Sequence, residues 1–422
     1  MWATLRQRNF ALLWVAGLVS ISGNWMMFVA LPVLVYTMTG SALAVGGTLL
    51  ATALPGILFG SLAGVFVDRW ERRRTIVIVN LLLALSILPL LLVRSADWLW
   101  LVYVVCFAQS TLNQFFMPAE NAFLPLLSDP KLLVSANALN ALNNNLARLV
   151  GPAIGGLVVA SSAGVGGVVI VDMLTYVIAA ALVALISVTS HPGKVEGAEN
   201  TFSFRKIVNE WREGLRLIWR NRTIRILFIL NTIPAIGESI MYVLFVPFVT
   251  EILRGDTVQV GGLTSAQAVG GIVGGMLVSR VAPRIKTYRL LGYGLIGIAL
   301  CDFVLFNYFH FVSGVALGYV MFILAGPTSI AIGAGRQTLF QENVEDKYRG
   351  RIFGTFSVTA SVFMLVGIVI VGLAEDRFGI VTLLNLDVAG YALMGVLALL
   401  LLRDHAVGRV VKQATEVQAA NG

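Results

Sequence analysis

Charged residues are scarce in this sequence. Asp, Glu, Lys and Arg together make up 12% of the 422 residues, while 58% are hydrophobic and the mean hydropathy is +0.86. A soluble globular domain carries about 25% charged residues. So little polar surface cannot cover a globule in water, and the composition therefore predicts a protein that crosses a membrane several times.

Cysteine and histidine are almost absent as well. The two cysteines, Cys106 and Cys301, both lie inside apolar runs, so the sequence excludes a disulfide framework. The three histidines, His191, His310 and His405, fall at the ends of apolar runs or between them. We therefore do not expect a proton relay built on histidine.

Motifs of common enzyme classes and of targeting signals are also missing. The sequence contains no HExxH, no GxxxxGK[ST] and no recognisable Ser/His/Asp set. We therefore expect neither an enzyme nor a built-in ATPase, and no metal or cofactor. No cleavage site follows the N-terminal MWATLRQRNF, so the first apolar run should stay in the mature protein.

Long apolar runs are what the sequence does contain. An α-helix needs about 20 apolar residues to cross a hydrocarbon core about 30 Å thick, and no run alternates as the strands of a membrane barrel do. We predict an all-α membrane protein with twelve transmembrane helices. The predicted spans are 10–36, 42–67, 75–93, 98–119, 134–160, 165–189, 224–252, 259–281, 289–307, 314–337, 352–374 and 380–402.

Lysine and arginine are distributed unevenly among the predicted loops. Arg94, Arg254 and Arg377 fall on one side of the membrane, and Arg148 and Arg336 lie within spans. All the other basic residues fall on the opposite side, which the positive-inside rule makes cytoplasmic. We predict a protein of the inner cell membrane with both termini cytoplasmic. The net charge of +8 then reflects topology and not nucleic-acid binding.

One long connection divides the chain. Its segment FRKIVNEWREGLRLIWRNR has arginines opposite apolar residues at helical spacing, which is typical of a helix lying in the membrane interface. A plain amphipathic linker is the alternative. The apolar residues are Ile207, Trp211, Leu215, Ile218 and Trp219. The predicted domains are a bundle at 1–189, this linker at 190–223, a bundle at 224–402 and a cytoplasmic tail at 403–422.

The two halves of the sequence repeat each other at an offset of about 215 residues. ISGNWMMFVALPVLVYTMTG is similar to AIGESIMYVLFVPFVTEILRG, and VDMLTY is similar to LDVAGY. The matched pairs include Gly23 with Gly237, Asn24 with Glu238, Asp172 with Asp387 and Tyr176 with Tyr391. Six spans duplicated to twelve predict two pseudo-symmetric six-helix bundles, which is the plan of transporters with a site between their halves.

The stretch GVFVDRWERRR resembles the signature between spans two and three of the major facilitator superfamily. The matching positions are Gly64, Asp68, Arg69, Arg72 and Arg73. The resemblance implies that Asp68 meets the N-terminus of span eleven when the inner side is shut, and a helix N-terminus does favour a carboxylate. Arg72 would pair with Asp68 or with Glu120. The alternative is that the arginines only anchor the topology.

A second stretch, ALNALNNNLARLVGPAIGG, resembles the fifth-span motif of the superfamily's antiporters. Gly151, Pro152, Gly155 and Gly156 fit that motif. The proline removes a backbone donor and the glycines remove side chains, so the helix can bend and pack closely. The resemblance implies a contact between spans five and eight, and ordinary close packing is the alternative.

The opening run RNFALLWVAGLVSISGNWMMFVALPVLVYTMTGSALAVG resembles the proton-driven drug exporters that include macrolide-efflux proteins, as does VEDKYRGRIFG before span eleven. The resemblance implies export of amphipathic small molecules in exchange for protons, by a monomer that alternates between two open states. Siderophore and lysophospholipid transporters of the same fold are alternatives, and a transport-inactive membrane sensor or scaffold is an alternative from a different functional class. The chain departs from the subgroup at Asn24, where an Asp is common, and at Cys106, where a membrane Arg is common.

Charges inside the predicted spans are candidates for function, because each costs about 2.5–3.5 kcal/mol on insertion scales. We predict Glu238, in the middle of span seven, as the acid that exchanges protons; a structural hydrogen bond to a neighbouring helix is the alternative. Arg148 would hold a buried acid, meet an anionic part of the cargo or form a structural ion pair. Glu120 and Arg336 occupy matching positions and are interpreted first as gate partners and second as proton carriers.

Other polar and aromatic residues of the spans have less specific predictions. We expect Asp172 and Asp387 to make structural hydrogen bonds, and Asp302 resembles them but has no partner that the sequence identifies. A large amphipathic cargo would suit a mixture of aromatic and amide side chains. The predicted cargo contacts are Asn24, Trp25, Phe28, Phe115, Phe116, Asn144, Met241 and Tyr242.

Overall fold

A computed structural model describes residues 2–129, 132–188, 204–344 and 346–403. This part of the chain is almost entirely helical, and it contains no strand. The first part of the predicted linker and the predicted tail from residue 404 onward lie outside it. The all-α fold predicted from the apolar runs is confirmed.

Fourteen α-helices follow one another in the described ranges. Two lie outside the predicted spans, the N-terminal α1 (Trp2–Leu5) and the linker helix α8 (Phe204–Arg220). The other twelve, called the long helices below, are α2 (Arg8–Thr39), α3 (Ala42–Arg69), α4 (Arg72–Ile87), α5 (Leu99–Phe123), α6 (Leu133–Ala160), α7 (Gly164–Ala184), α9 (Arg222–Pro247), α10 (Thr257–Val281), α11 (Thr287–Asn307), α12 (Ala316–Asn343), α13 (Asp346–Phe378) and α14 (Ile380–Leu401).

Most of the long helices suit a membrane by length and composition. Ten in the described part of the chain are long and apolar enough to span one, and Ala42–Gly56 in α3 is a shorter apolar helix. The fifth predicted span, α6, is not among the ten. It carries three consecutive asparagines, Asn143 to Asn145, and Arg148, which make it more polar than its neighbours.

Short connections are built from specific capping residues. Gly40 ends α2 in the left-handed conformation with φ +61°, which glycine adopts without strain. Ser41 then caps α3, because its side chain accepts a hydrogen bond from the backbone N–H of Ala44. Between α9 and α10, Asp256 and Gln259 each accept from the other's backbone N–H. Such reciprocal caps fix where a helix begins.

The chain forms two compact units. The first consists of residues 1–202 with 245–268, and the second of residues 203–244 with 269–422. Residues 245–268 join the first unit through α6, since a Cβ on Gly156 would lie 2.7 Å from the carbonyl oxygen of Thr257. The Tyr36 hydroxyl also donates to Glu251. The units therefore differ from the predicted bundles at this segment, and the bundle boundaries stay a prediction.

Each unit has its own apolar core. The core of the first unit includes Phe10, Ile76, Phe123 and Tyr176, all less than 2% exposed. The core of the second unit consists of apolar residues near one common end of its helices, and it is described with α8 below. Lipid tails are as apolar as these side chains, so it is their close packing that stabilises each unit within itself.

Glycine allows backbone-to-backbone contact between α10 and α12 in the second unit. A Cβ on Gly270 would overlap the carbonyl oxygen of Ile323 and lie 2.9 Å from its Cα, whereas a Cβ on Gly271 meets nothing within 4 Å. We expect Gly270→Ala to destabilise the protein by about 1–3 kcal/mol. Gly271→Ala, its neighbour, should leave the midpoint of thermal unfolding in detergent unchanged. Equal midpoints for both variants would contradict this contact.

Candidate functional site

The structure brings the repeat-related residues together in each unit. In the first unit Asp172 is 1% exposed and its carboxylate packs on Gly23, where a side chain would overlap it. In the second unit Asp387 is 5% exposed and packs on Gly237 in the same way. A glycine on α2 thus accommodates an aspartate from α7, and a glycine on α9 accommodates one from α14, which accounts for the matched pairs in the sequence.

Neutral groups surround the site in the first unit. The Tyr176 hydroxyl donates to Asn24 Oδ1 at 2.5 Å and lies 3.1 Å from Gln109 Oε1. The Gln109 amide in turn donates to the Leu83 carbonyl at 2.9 Å. Thr175 donates to Asp172 Oδ1 at 3.2 Å. Asn24, predicted as a cargo contact, therefore also has a hydrogen-bonding role inside the unit.

Charged groups surround the corresponding site in the second unit. The acids Asp302 and Glu238 lie within electrostatic range of Asp387, and Tyr391 lies within range of all three acids and of Arg336. Glu238 itself is exposed. Glu238 thus occupies the position in the second unit that Asn24 occupies in the first. The two sites have the same arrangement of helices but differ in charge.

One buried oxygen in this second site has no hydrogen bond from the described residues. It is Asp387 Oδ1, on a side chain that is 95% buried. A bare carboxylate charge in an apolar interior costs several kcal/mol unless a partner stabilises it. Asp172 Oδ2 in the first unit likewise lacks a described hydrogen bond, so it is the neighbouring acids that distinguish the second site.

Arg336 is held at the edge of the same site. Its Nη1 donates to Asn231 Oδ1 at 2.7 Å, and its guanidinium lies 5.7 Å from the centre of the Phe356 ring. Both contacts lie within the second unit and both orient a cation. The predicted role of Arg336 as a gate partner of Glu120 stays a prediction.

Arg148 and two predicted cargo contacts meet in the first unit. The Arg148 guanidinium lies 5.3 Å from the centre of the Trp25 ring and donates from Nη2 to Gln267 Oε1. Phe28 contacts Trp25 edge to face, with ring centres 5.0 Å apart. A cation over an aromatic pair presents both charge and apolar surface. Gln267 has no motif that identifies it in the sequence.

The glycine–proline motif of α6 contacts two helices. A Cβ on Gly151 would lie 2.6 Å from the Ser22 carbonyl oxygen of α2, and one on Gly155 would lie 2.9 Å from Met26 Cα. On another side Gly156 approaches α10, where a Cβ on Gly261 would overlap the Pro152 carbonyl oxygen. The motif therefore places α6 directly against spans one and eight, which is the packing its composition allows.

The basic motif after α3 is described only in part. The surroundings of Gly64 and the side chains of Asp68 and Arg69 lie outside what the structure describes, and so does the predicted contact of Asp68 with span eleven. Arg72 donates to the Ala122 carbonyl at 3.3 Å, and Arg73 donates to the Ala184 carbonyl.

Ala122 and Ala184 lie in the last turns of α5 and α7, where carbonyl groups lack helical partners and cations are favourable. The two arginines therefore fasten α4 to these helix ends. Glu71, which departs from the motif, caps α4 by accepting from the N–H groups of Arg73 and Arg74. Sequence reasoning missed this cap, although an acid just before a helix is its usual signal.

The remaining predicted site residues are distributed over both units. Glu120 is 4% exposed and lies beside Gly17 in the first unit. Phe116 belongs to the core of that unit and Phe115 stacks on Trp70 at 6.0 Å, which favours packing over cargo contact. Asn144 is exposed; Met241 and Tyr242 are half-buried on α9. Within the described residues no cluster of three metal-ligating side chains occurs.

The chain is similar over most of its length to curated efflux proteins. It is 25% identical over 382 residues to macrolide efflux protein A of Streptococcus pyogenes, covering 88% of this chain and 90% of that one. It is 28% identical over 405 residues to multidrug efflux pump Tap of Mycolicibacterium fortuitum, covering 92% and 94%.

Solved transporter structures have the same fold. A bacterial homologue of the iron transporter ferroportin, in its inward-facing state, matches 93% of this chain and 98% of its own with a TM-score of 0.73 at 14% identity. A bacterial homologue of the lysosomal transporter Spinster matches 94% and 95% with a TM-score of 0.68 at 14% identity. The sequence profile of one family, the transmembrane secretion effectors, matches residues 1–416. The chain therefore belongs to the transmembrane secretion effector family of major facilitator superfamily transporters.

Proposed function

We propose that this transporter exports amphipathic small molecules of the drug or macrolide kind in exchange for protons, by alternating access. It works as a monomer in the cell membrane with both termini in the cytoplasm. The names of its relatives, a macrolide efflux protein and a multidrug efflux pump, support the direction and the cargo class. The positive-inside distribution of lysine and arginine supports the orientation.

The observation that carries the proposal is the difference in charge between the two repeat-related sites. Where the first unit has Asn24 bound by Tyr176, the second has Glu238 near Asp387, Asp302 and Tyr391. Acids in membrane spans are costly and are seldom retained without a function. A cluster that binds a proton in one open state of the transporter and releases it in the other couples proton movement to transport.

The contacts in the first unit support an amphipathic cargo. Trp25 and Phe28 offer apolar faces beside the guanidinium of Arg148 and the amide of Gln267. A molecule with both a large apolar surface and polar groups can satisfy both kinds of side chain. Exchange requires that the transporter binds cargo and protons in alternation.

Transport driven by a pH gradient tests the proposal. A gradient of about two pH units stores about 2.7 kcal/mol per proton, enough for roughly hundredfold accumulation of cargo at one proton each. We expect proteoliposomes containing the purified protein to accumulate a labelled macrolide against its gradient, and an exchanger that collapses the pH gradient to abolish this accumulation. Failure to accumulate any amphipathic compound would favour a sensor or scaffold, while accumulation only of siderophores or lysophospholipids would favour those rivals.

A further inference from the structure

The linker helix α8 is fixed to the second unit by one face. The Trp211 indole nitrogen donates to Thr359 Oγ1 of α13 at 3.1 Å, and Thr359 is 8% exposed. About one turn further along the same face Gly214 is buried, and about two turns further Ile218 is fully buried. A helix held by a buried hydrogen bond and an apolar anchor is part of its unit, so α8 is more than a flexible linker.

The opposite face of α8 is basic. Among its described side chains, Arg212, Arg216 and Arg220 are exposed. They recur every four residues and therefore form one stripe. Trp219 lies on the same face and is 54% exposed. Glu213, also exposed, lies at the edge of the stripe.

The place of α8 in the unit puts this stripe at a membrane surface. Ile218 shares its core with residues at helix ends: Tyr288 near the start of α11, Val344 after α12, Ile352 near the start of α13 and Leu402 after α14. Since these helices span the bilayer, their common end lies at headgroup level. Basic residues and tryptophan on a helix at this level lie within reach of the lipid headgroups.

We infer that the stripe of Arg212, Arg216 and Arg220, together with Trp219, binds the headgroups of anionic phospholipids. Guanidinium groups bind phosphate oxygens with two parallel hydrogen bonds, and their long stems lie along apolar surface while the charge reaches the headgroup. Trp219 suits the same level, because indole prefers the boundary between apolar and wet surroundings. Binding of a soluble acidic partner would account for the arginines but not for an exposed tryptophan at the level of the bilayer surface.

This lipid site is independent of the direction and the cargo of transport. Each arginine near an anionic surface contributes about 1 kcal/mol, which is about fivefold in affinity. The triple variant Arg212→Gln, Arg216→Gln, Arg220→Gln should therefore bind phosphatidylglycerol on the order of a hundredfold more weakly, and each single variant about fivefold more weakly.

The test measures lipid retained on the purified full chain by native mass spectrometry, titrating phosphatidylglycerol or phosphatidylcholine into detergent micelles. The matched control replaces three exposed arginines of the same unit that lie off α8, Arg280, Arg284 and Arg289, by glutamine. We expect the α8 triple variant to lose the preference for phosphatidylglycerol and the control to keep it. Unchanged retention in the α8 variants, or equal losses in both triple variants, would overturn the inference.

Two further arms keep the result interpretable. If the triple variant does not fold, the three single variants carry the test, since each removes one charge from an exposed position. Inorganic phosphate at millimolar concentration should not displace the lipid, because it lacks acyl chains to contact the membrane-facing surface. Displacement by phosphate would show a site for a soluble anion and would overturn the assignment to lipid.

Discussion

Glu238→Gln is expected to abolish accumulation driven by a pH gradient. Glutamine keeps the size and the hydrogen-bonding capacity of glutamate but cannot take up a proton. In proteoliposomes with a gradient of about two pH units, the accumulation ratio of cargo should fall from as much as about a hundred to about one. Exchange of labelled for unlabelled cargo without a gradient should persist, since it needs binding and movement but no net proton transfer.

The control for Glu238→Gln is the same substitution outside the spans. Glu213 is exposed on α8, so Glu213→Gln changes the same charge without touching the site in the second unit. It should keep the accumulation ratio of the wild type. Full accumulation by Glu238→Gln would contradict the coupling role of this residue while leaving export itself intact. Loss of exchange as well as accumulation would indicate a binding or folding defect instead.

The positions of the long helices could be predicted because membrane spans are set mainly by runs of apolar residues. Span eight was expected at 259–281 and α10 runs from Thr257 to Val281; span two was expected at 42–67 and α3 runs from Ala42 to Arg69. The earlier start of α10 comes from the reciprocal cap of Asp256 and Gln259. Hydropathy does not detect these polar contacts.

Two helix ends depart from the regular geometry for a reason that hydropathy also misses. The third span was predicted as one helix at 75–93, but α4 ends at Ile87 and continues as a 3₁₀ turn over Leu88–Leu92. Pro89 has no N–H for the α-helical hydrogen bond, so the chain tightens there. After Pro247, α9 likewise changes to a π-helical turn at Phe248–Ile252.

For the candidate site, the sequence predicted only those positions that the internal repeat matches. Matching Asp172 with Asp387 and Gly23 with Gly237 predicted equivalent places, because duplicated halves keep equivalent neighbours. Which groups meet across helices depends on side-chain directions that one sequence does not contain. Gln109, which completes the network of the first unit, belongs to a helix outside the matched segments.

Asp387→Asn is expected to lower proton-driven accumulation at least about tenfold. Two unit charges about 8 Å apart interact by about 2 kcal/mol at an effective dielectric constant of about 20. A neutral residue at position 387 therefore changes the equilibrium constant for proton binding by the acid cluster by tenfold or more. Asp387 and Asp172 each have one buried oxygen without a described hydrogen bond, but only Asp387 has other acids, Asp302 and Glu238, as electrostatic neighbours. The measurement is the accumulation ratio at a fixed pH gradient, corrected for the amount of folded protein.

The repeat supplies the matched control for this experiment. Asp172→Asn makes the identical change at the equivalent position, where Asp172 accepts from Thr175 and the nearby Tyr176 bonds the neutral groups of Asn24 and Gln109. If Asp172 serves packing and hydrogen bonding alone, this variant should keep transport within about twofold and move the unfolding midpoint as much as Asp387→Asn does. Equal loss of transport in both variants would mean that the two aspartates have the same structural role. Full transport in both would mean that Glu238 carries the proton without help from Asp387. Because both variants make the same change in shape, a difference in transport between them reports the effect of the charge at position 387.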